Sequence, residues 1–347
     1  MKGSVCKRWL AAFVAALTLG LVPLAAAQVA GGASIGWFHL GPACDRDPYG
    51  VIANYMSENE ALPRARETID AMLRQMYDQG MRRLRIPIFF GHDINTGTVL
   101  SSTGGNLSAQ HRRNLADLLA AIRRHGFVEI VPAFMPVGAW NDPANKDYVL
   151  TEERYQENWQ LIRNLRPLFV ASGLVVRIDL GAEAIPSIRE LTSQDNHRTL
   201  LHYTRRLWLD YISAFGSADT VGFSLIGGGN TSGDRLAILP SIYGANPPPV
   251  LALDIYEDMY DSFVAARRKL QAMGPPWSKL PWIIEETFYN DPETAVELRR
   301  AITDTKQNVL YMLQWPVTNP LVPPNDSCHH VNVGSAAGYW HYRGQGF

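Results

Sequence analysis

The clearest indication of the fold is the stretch Leu174-Val175-Val176-Arg177-Ile178-Asp179-Leu180-Gly181-Ala182-Glu183. It is an apolar, β-branched run that ends at a glycine, and such a run predicts a buried strand. Apolar residues at helical spacing predict amphipathic helices on both sides of it, over 152–170 and 198–215. Helix, strand and helix in succession are typical of parallel α/β architecture.

The same alternation runs through the rest of the chain. Further helices are predicted at Pro63–Gln79, from an N-cap at Ser108 to Gly126, over Glu257–Met273, and from Asp291-Pro292 onward. Eight strands are predicted, at Ser34–Leu40, Arg83–Phe89, Val128–Phe134, Leu174–Leu180, Thr220–Ile226, Val250–Tyr256, Trp282–Glu286 and Val309–Trp315.

This pattern predicts fold class α/β, a (β/α)8 TIM barrel that residues 28–347 form as a single domain. The fifth and eighth helices are predicted to be weak or missing. Gly, Pro and polar residues between Ile226 and Val250 leave room for at most a short helix near Arg235–Leu239. After Trp315 the chain is proline-rich and ends in an aromatic tail.

Residues 1–27 have the pattern of a signal peptide. Lys2, Lys7 and Arg8 precede an apolar stretch from Leu10 to Leu24, and three small residues follow it. We therefore expect a secreted or periplasmic protein without stable membrane insertion, with an uncleaved anchor as the alternative. No other apolar run approaches the roughly 20 residues that a membrane span requires.

The cysteine positions fit this compartment. Of three cysteines, Cys6 lies in the signal peptide, which leaves Cys44 and Cys328 near opposite ends of the mature chain. A closed barrel brings its first and last strands side by side, so we expect a disulfide between these two residues in an oxidising compartment. Two free thiols are the alternative.

Charge and composition narrow the class of partner. There are 32 Lys and Arg against 33 Asp and Glu, a near balance that argues against nucleic acids and anionic membranes as partners. The chain also contains nine Trp and 14 Tyr, which suit a protein that stacks flat ligands but can equally be core residues. We expect a monomer.

Two glutamates lie where a barrel enzyme has its active site, at the C-terminal ends of the strands. Glu183 follows the fourth predicted strand, and Glu286 ends the seventh, nearly opposite in the barrel. Glycoside hydrolysis needs one protonated and one ionised carboxyl group, about 5 Å apart in a retaining enzyme. The alternative for either glutamate is a strand cap or an ion pair.

The stretch Pro281-Trp282-Ile283-Ile284-Glu285-Glu286-Thr287 resembles the strand-seven pattern of the clan A glycoside hydrolases. The resemblance implies a (β/α)8 barrel, Glu183 as acid/base, Glu286 as nucleophile, and neither cofactor nor metal. Because adjacent residues on a strand point to opposite faces, we expect only one of Glu285 and Glu286 in the site, and we choose Glu286.

The resemblance also assigns substrate-binding roles to three more residues. Arg85 matches the clan's arginine that supports the nucleophile, where it would keep Glu286 ionised. Tyr256 matches the hydroxyl that hydrogen-bonds the nucleophile, and Trp315 the tryptophan below the sugar. The alternatives are a surface ion pair for Arg85 and rim or core packing for the two aromatics.

One residue departs from the pattern. Most of the clan have Asn before the acid/base, in contact with the sugar 2-hydroxyl, whereas this chain has Ala182. Either another residue makes that contact, or the substrate differs at that carbon, or Glu183 is not the acid.

Further candidates for substrate binding lie at or beyond strand ends. Aromatic and imidazole rings there can stack on sugars or pack in the core, and Asn230 ends a glycine run that we expect to form a rim loop rather than a phosphate site. These candidates are Trp37, His39, Trp140 and Asn230. His92-Asp93 and His329-His330 lack metal-ligand spacing, so no metal site is predicted.

The sequence therefore predicts an exported retaining glycoside hydrolase that acts on a polysaccharide or oligosaccharide. Two alternatives remain open: a non-catalytic glycan-binding barrel in polysaccharide secretion, which Ala182 favours, and a metal-dependent hydrolase.

Overall fold

The computed structural model describes residues 29–38, 49–56, 62, 64–145, 148–193, 195–227, 232–316 and 338–347. Eight parallel strands form its centre, two of them in two pieces each. They are β1 (Gly32–Ser34), β2 (Arg83–Gly91), β3 (Glu129–Pro136), β4 (Val175–Val176 and Ile178–Asp179), β5 (Thr220–Gly222 and Leu225–Ile226), β6 (Leu251–Asp254), β7 (Trp282–Glu286) and β8 (Val309–Gln314).

The strand pairing closes this sheet into a barrel. β1 pairs with both β2 and β8, and each further strand pairs with its neighbour in sequence. The two pieces of β5 complete the circle, because Thr220–Gly222 pairs with β4 while Leu225–Ile226 pairs with β6. The prediction of a (β/α)8 barrel is confirmed.

One main helix follows each strand. These helices are α1 (Ala65–Asp78), α2 (Ala109–Arg124), α3 (Glu152–Ala171), α4 (Asp195–Phe215), α5 (Ser232–Tyr243), α6 (Met259–Met273), α7 (Pro292–Thr305) and α8 (Trp340–Gly344). Short helices also lie in the loops after β1, β3 and β4, at Val51–Asn54, Gly138–Asn141 and Ile188–Ser193, and a 3-10 turn precedes β7 at Trp277–Lys279. The Ser108 hydroxyl accepts a hydrogen bond from the His111 N–H, and the Asp291 carboxylate from the Thr294 N–H, so both residues are N-caps.

The expectation of a weak or missing fifth helix is wrong. α5 has 12 residues, extends beyond the predicted Arg235–Leu239 at both ends, and includes Pro240. Leu236, Leu239, Ile242 and Tyr243 are buried, and this packing outweighs the poor local propensity of the segment. Among the described residues after β8, the helix α8 has five residues, which agrees with the prediction of a weak eighth helix.

β1 begins earlier than Ser34, where the sequence placed it. Gly31 and Gly32 approach their neighbours closely, and a Cβ atom on Gly32 would lie 1.8 Å from the carbonyl oxygen of Arg83. Only glycine fits there. The start of this strand therefore lacks the β-branched residues by which the other strands were predicted. Trp37–Phe38, part of the predicted strand, instead pairs antiparallel with Tyr49–Gly50.

The barrel interior is filled in layers. At the bottom, Glu129 accepts hydrogen bonds from Arg83 (2.8 Å), Arg177 (2.5 Å) and Tyr311 (2.6 Å). An apolar layer above it contains Val131, Val221, Val250, Ala252, Ile283 and Leu313. This layer separates the bottom charges from the charged groups at the C-terminal ends of the strands.

Several predictions fall on residues outside the described part of the chain. These are the signal peptide over 1–27 and the Cys44–Cys328 disulfide, which stay predictions. None of the described helices is long and apolar enough to cross a membrane.

Candidate active site

Glu183 follows β4 at the C-terminal end of the barrel. Its backbone has the left-handed conformation, with φ at 54°, which is uncommon for a residue with a side chain and costs about 1–3 kcal/mol. Hydrogen bonds hold this turn. The Ser224 hydroxyl accepts one from the Glu183 N–H at 3.0 Å. The Asp179 carboxylate accepts from the Gly181 N–H at 3.0 Å and from the Ser224 N–H at 3.2 Å. The orientation of Glu183 is therefore fixed by β4 and β5 together.

Glu286 ends β7 and accepts hydrogen bonds on both carboxylate oxygens. Arg85 Nη1, from β2, donates to Oε1, and the Tyr256 hydroxyl, beyond the end of β6, donates to Oε2 at 2.5 Å. Glu286 is 6% exposed, so these contacts lie almost out of water. The structure thus brings together Arg85, Tyr256 and Glu286, as the resemblance implied.

Glu285 also enters the barrel, which corrects the expectation that only one of the two adjacent glutamates would do so. Its Oε1 accepts a hydrogen bond from Arg85 Nε at 2.7 Å, so both carboxyl groups contact the same guanidinium. The reason is a register shift: Leu253 is opposite Ile284, but Asp254 is opposite Glu286, which leaves Glu285 as the extra residue of a bulge. A β-bulge breaks the alternation of faces and re-aims the next side chain.

The two candidate catalytic carboxyl groups lie close together across the mouth of the barrel. One carboxylate oxygen each of Glu183, Glu286 and Asp254 lies within 4.8 Å of the other two. Glu183 is exposed as a residue, but protein atoms crowd its carboxyl group. This partial burial, followed by the charge of Glu286, raises the pKa of Glu183 to about 7. Near neutral pH a large fraction of Glu183 is therefore protonated.

Below the mouth, carboxyl groups outnumber cations. Asp179, Asp254 and Glu285 are buried, and burial raises the pKa of each of the three. Burial alone would lower the pKa of the Arg85 guanidinium, but Glu286 and Glu285 raise it well above its usual range. Arg85 is the described cation beside these three buried acids, and one positive charge cannot balance three negative ones, so some of the acids hold their protons.

Aromatic rings line the mouth beside Arg85. Trp315 follows β8, and its ring lies 5.2 Å from the Arg85 guanidinium carbon. Trp37 meets Trp315 edge-on at 5.3 Å between ring centres and is 5.1 Å from Phe89. Both tryptophans are half-buried, so parts of their rings remain open at the site. Trp37 and Trp315 therefore form one aromatic surface beside Arg85.

Three predicted binding residues have no described side chain. His39 and Asn230 lie outside the described residues, and Trp140 belongs to the short helix Gly138–Asn141, of which only the backbone is described at that position. His92, considered for metal binding, instead contacts Glu157 through Nδ1 at 2.8 Å.

The carboxylates of Glu183, Asp254 and Glu286 are the one described group close enough to hold a metal ion. Oxygen ligands of this kind suit Ca²⁺ or Mg²⁺. Here, however, Glu286 already accepts hydrogen bonds from Arg85 and Tyr256. The arginine adds a positive charge next to the position that a cation would occupy, so these residues fit a metal poorly.

Sequence reasoning missed Asp254, Asp179 and Ser224. Asp254 lay inside a predicted strand and was read as an ordinary strand residue. The alternation of side chains along the strand could have revealed it. Val250 and Ala252 face the interior, so Asp254, two residues further on, faces it too. The role of Ser224 depends on the irregular middle of β5, which no local pattern shows.

No family model matches the sequence, and no curated protein matches it. Solved structures share its fold. An exo-β-1,4-mannosidase from Opitutaceae bacterium strain TAV5 has a TM-score of 0.55 and 15% identity, and the match covers 91% of this chain and 59% of that one. The chain thus spans about three fifths of the length of the mannosidase.

Two other solved structures are similar over more of their own length. For a GH5_18 protein from Bifidobacterium longum subsp. infantis the TM-score is 0.55 at 10% identity, covering 91% of this chain and 79% of that one. For a GH5-4 broad-specificity endoglucanase from Clostridium longisporum it is 0.53 at 9% identity, covering 91% and 96%. At such low identities, the similarity establishes the shared barrel fold.

Proposed function

We propose that this protein is an exported retaining glycoside hydrolase that acts on a polysaccharide or oligosaccharide. The observation that carries the proposal is the approach of Glu183 and Glu286, whose nearest described carboxylate oxygens lie within 4.8 Å. Retaining enzymes hold the two carboxyl groups about 5–5.5 Å apart, and inverting enzymes about 6.5–9.5 Å. The short separation supports the retaining mechanism.

In the first half-reaction, the ionised Glu286 attacks the anomeric carbon while the bond from that carbon to the leaving oxygen breaks. Protonated Glu183 gives its proton to the leaving oxygen, which departs as an alcohol. The product is an ester between the sugar and Glu286. A Glu183 pKa raised to about 7 supports the acid role, because the proton is then present near neutral pH.

In the second half-reaction, Glu183 is ionised and takes a proton from water. The water oxygen attacks the anomeric carbon, and the Glu286 carboxylate is released with its electron pair. Arg85 and Tyr256 support the nucleophile in both steps, because their hydrogen bonds hold and orient the two oxygens of Glu286.

The substrate class rests on the aromatic mouth and on the structural neighbours. The exposed parts of the half-buried Trp37 and Trp315 rings offer apolar surface on which a sugar ring can stack. The neighbours named above include a mannosidase and an endoglucanase, which supports a glycan substrate for this barrel. The predicted signal peptide over 1–27 supports export.

The test is a screen of purified protein against a panel of polysaccharides, in which new reducing ends are measured for wild type and for Glu286→Gln. Turnover by wild type alone supports the proposal. Binding of a glycan without new reducing ends would instead identify a non-catalytic barrel. Retained turnover in the variant would show that Glu286 is not the nucleophile.

A further inference from the structure

Asp254 is a buried acid for which no described residue supplies a hydrogen bond. It ends β6, is 1% exposed, and faces the barrel interior in line with Val250 and Ala252. Neither of its carboxyl oxygens has a hydrogen-bond partner among the described residues. A buried polar group in this state costs free energy, so its position at the site calls for a functional explanation.

Asp254 lies close to the two proposed catalytic glutamates. One Asp254 oxygen lies within 4.8 Å of an oxygen of Glu183 and of Glu286, and the ladder places Asp254 opposite Glu286. Both Glu286 oxygens already accept hydrogen bonds. The carboxyl group of Glu183 has no such contact among the described side chains, so Asp254 and Glu183 are two acids that each lack a partner.

Several other charged groups face Asp254 and Glu183. From β2 comes Arg85, from β4 Asp179, and from β7 Glu285. The Tyr256 hydroxyl, which donates a hydrogen bond to Glu286, also lies near Asp254. Arg235 of α5, which forms an ion pair with Glu190 at 2.8 Å, lies near Glu183. Asp254 thus lies among several carboxyl groups, with Arg85 as the described cation beside it, a setting that favours its neutral form.

We propose that Asp254 is a positioning residue that keeps its proton at neutral pH and donates a hydrogen bond to Glu183 when Glu183 is ionised. A turn of the Glu183 side chain would close the gap of at most 4.8 Å to hydrogen-bond distance. Asp254 then favours the ionised Glu183 that the second half-reaction requires as a base. The inference rests on the proposed function and adds a third carboxyl group to it.

Burial, followed by the charge of Glu286, raises the pKa of Asp254 well above its usual range, which supports the neutral form. A donor to the charged form of Glu183 lowers the pKa of Glu183, so removal of that donor should raise it. Activity that needs protonated Glu183 would then persist to higher pH. An ionised Asp254 would have the opposite effect, because a negative neighbour opposes the ionisation of Glu183.

The experiment compares Asp254→Asn, which keeps a donor, with Asp254→Leu, which has none. In kcat/KM against pH, we expect the basic limb of the Leu variant to move up by about one to two pH units. The basic limb of the Asn variant should stay close to that of the wild type. A downward shift in both variants, or no shift in either, would overturn the proposal, and thermal melting shows whether each variant is folded.

A second measurement does not depend on turnover. Carboxyl ¹³C NMR of the wild-type protein, with the Asp254 signal assigned from the Asn variant, should show Asp254 protonated at pH 7. An Asp254 signal that titrates near pH 4 would refute the inference even if the Leu variant does not fold. If no glycan is cleaved by wild type, the proposed function fails, while this titration still decides the protonation of Asp254.

Discussion

Arg85 on β2 and Glu286 at the end of β7 are 201 residues apart, yet Arg85 Nη1 donates a hydrogen bond to Glu286 Oε1 inside the barrel. Arg85 has no solvent exposure, and its Nε donates to Glu285 at 2.7 Å. The guanidinium therefore joins two adjacent residues of β7 from across the barrel. This contact is part of the fold and part of the site at once.

Replacement of Arg85 by Met should destabilise the protein strongly. The change keeps much of the side-chain volume but leaves Glu285 and Glu286 without their buried cation. Loss of one partner of a buried ion pair costs about 3–5 kcal/mol. We expect a loss of this order in urea unfolding at pH 7, together with a loss of activity.

The matched control is Arg64→Met, because Arg64 forms an ion pair with Glu67 at 2.9 Å that is largely exposed. Exposed pairs contribute little to stability, so the unfolding midpoint should not move measurably. Equal effects of the two substitutions would contradict the buried role of Arg85.

The pH profile should report the protonation of Glu183. The first step requires the protonated acid, and the pKa of Glu183 is raised to about 7. We therefore expect kcat/KM of wild type to fall as the pH rises through about 7, tenfold per pH unit above it. In Glu183→Gln, measured on substrates with good leaving groups, this limb should be absent. An unchanged limb in a still-active variant would exclude Glu183 as the acid.

Much of the site followed from the sequence because strand ends can be placed without knowing the register. Glu183 and Glu286 come directly after recognisable apolar runs, and a parallel barrel gathers all such ends at one mouth. The same argument carried Tyr256 and Trp315, with the resemblance supplying their roles. Arg85 is the third residue of β2, not its last, so its place in the site came from the resemblance alone. These predictions tolerate an error of a residue or two in each strand.

The parts that failed depend on register and packing. The bulge that brings Glu285 and Glu286 to the same arginine arises from pairing with β6, which no local pattern of β7 contains. α5 forms although Pro240 lies in it, because its buried face packs on the barrel. The predicted start of β1 was wrong because the strand begins with glycine, which the close contact with Arg83 requires and which has a low strand propensity.

Closure of the barrel at β1 should be sensitive to a single methyl group. In Gly32→Ala, the new Cβ would lie 1.8 Å from the Arg83 carbonyl oxygen, so β1 must move away from β2. Overpacking of this kind costs about 3 kcal/mol or more when backbone atoms are the obstacle. Thermal unfolding should show a clear loss. Gly344→Ala, where a Cβ meets nothing within 4 Å, is the control and should melt like wild type.

The disulfide between Cys44 and Cys328 remains a prediction from the sequence. We expect peptide mapping without reductant, on protein exported to an oxidising compartment, to recover the two cysteines in one linked peptide pair. Reduction should lower stability by about 2–5 kcal/mol, because the bridge would close a long loop. Recovery of both cysteines as free thiols would contradict the pairing.

The double-displacement mechanism makes different predictions for the two glutamates. Glu286→Ala removes the nucleophile, so turnover should vanish. Glycan binding should remain largely intact, because the aromatic rings and other polar groups of the mouth are unchanged; binding can be measured by calorimetry. Glu183→Ala should slow both half-reactions, but spare the first for substrates with good leaving groups, which need little protonation.

In Glu183→Ala, azide should restore turnover of those activated substrates. Without Glu183 there is no base for water and no negative charge to repel the anion, so azide can attack the sugar–Glu286 ester. The product should be a glycosyl azide with the anomeric configuration of the substrate, which NMR identifies. Glu286→Ala should give no such product under the same conditions, because it cannot form the ester. An azide product of inverted configuration, or rescue of both variants alike, would contradict the assignment of Glu183 as acid/base and Glu286 as nucleophile.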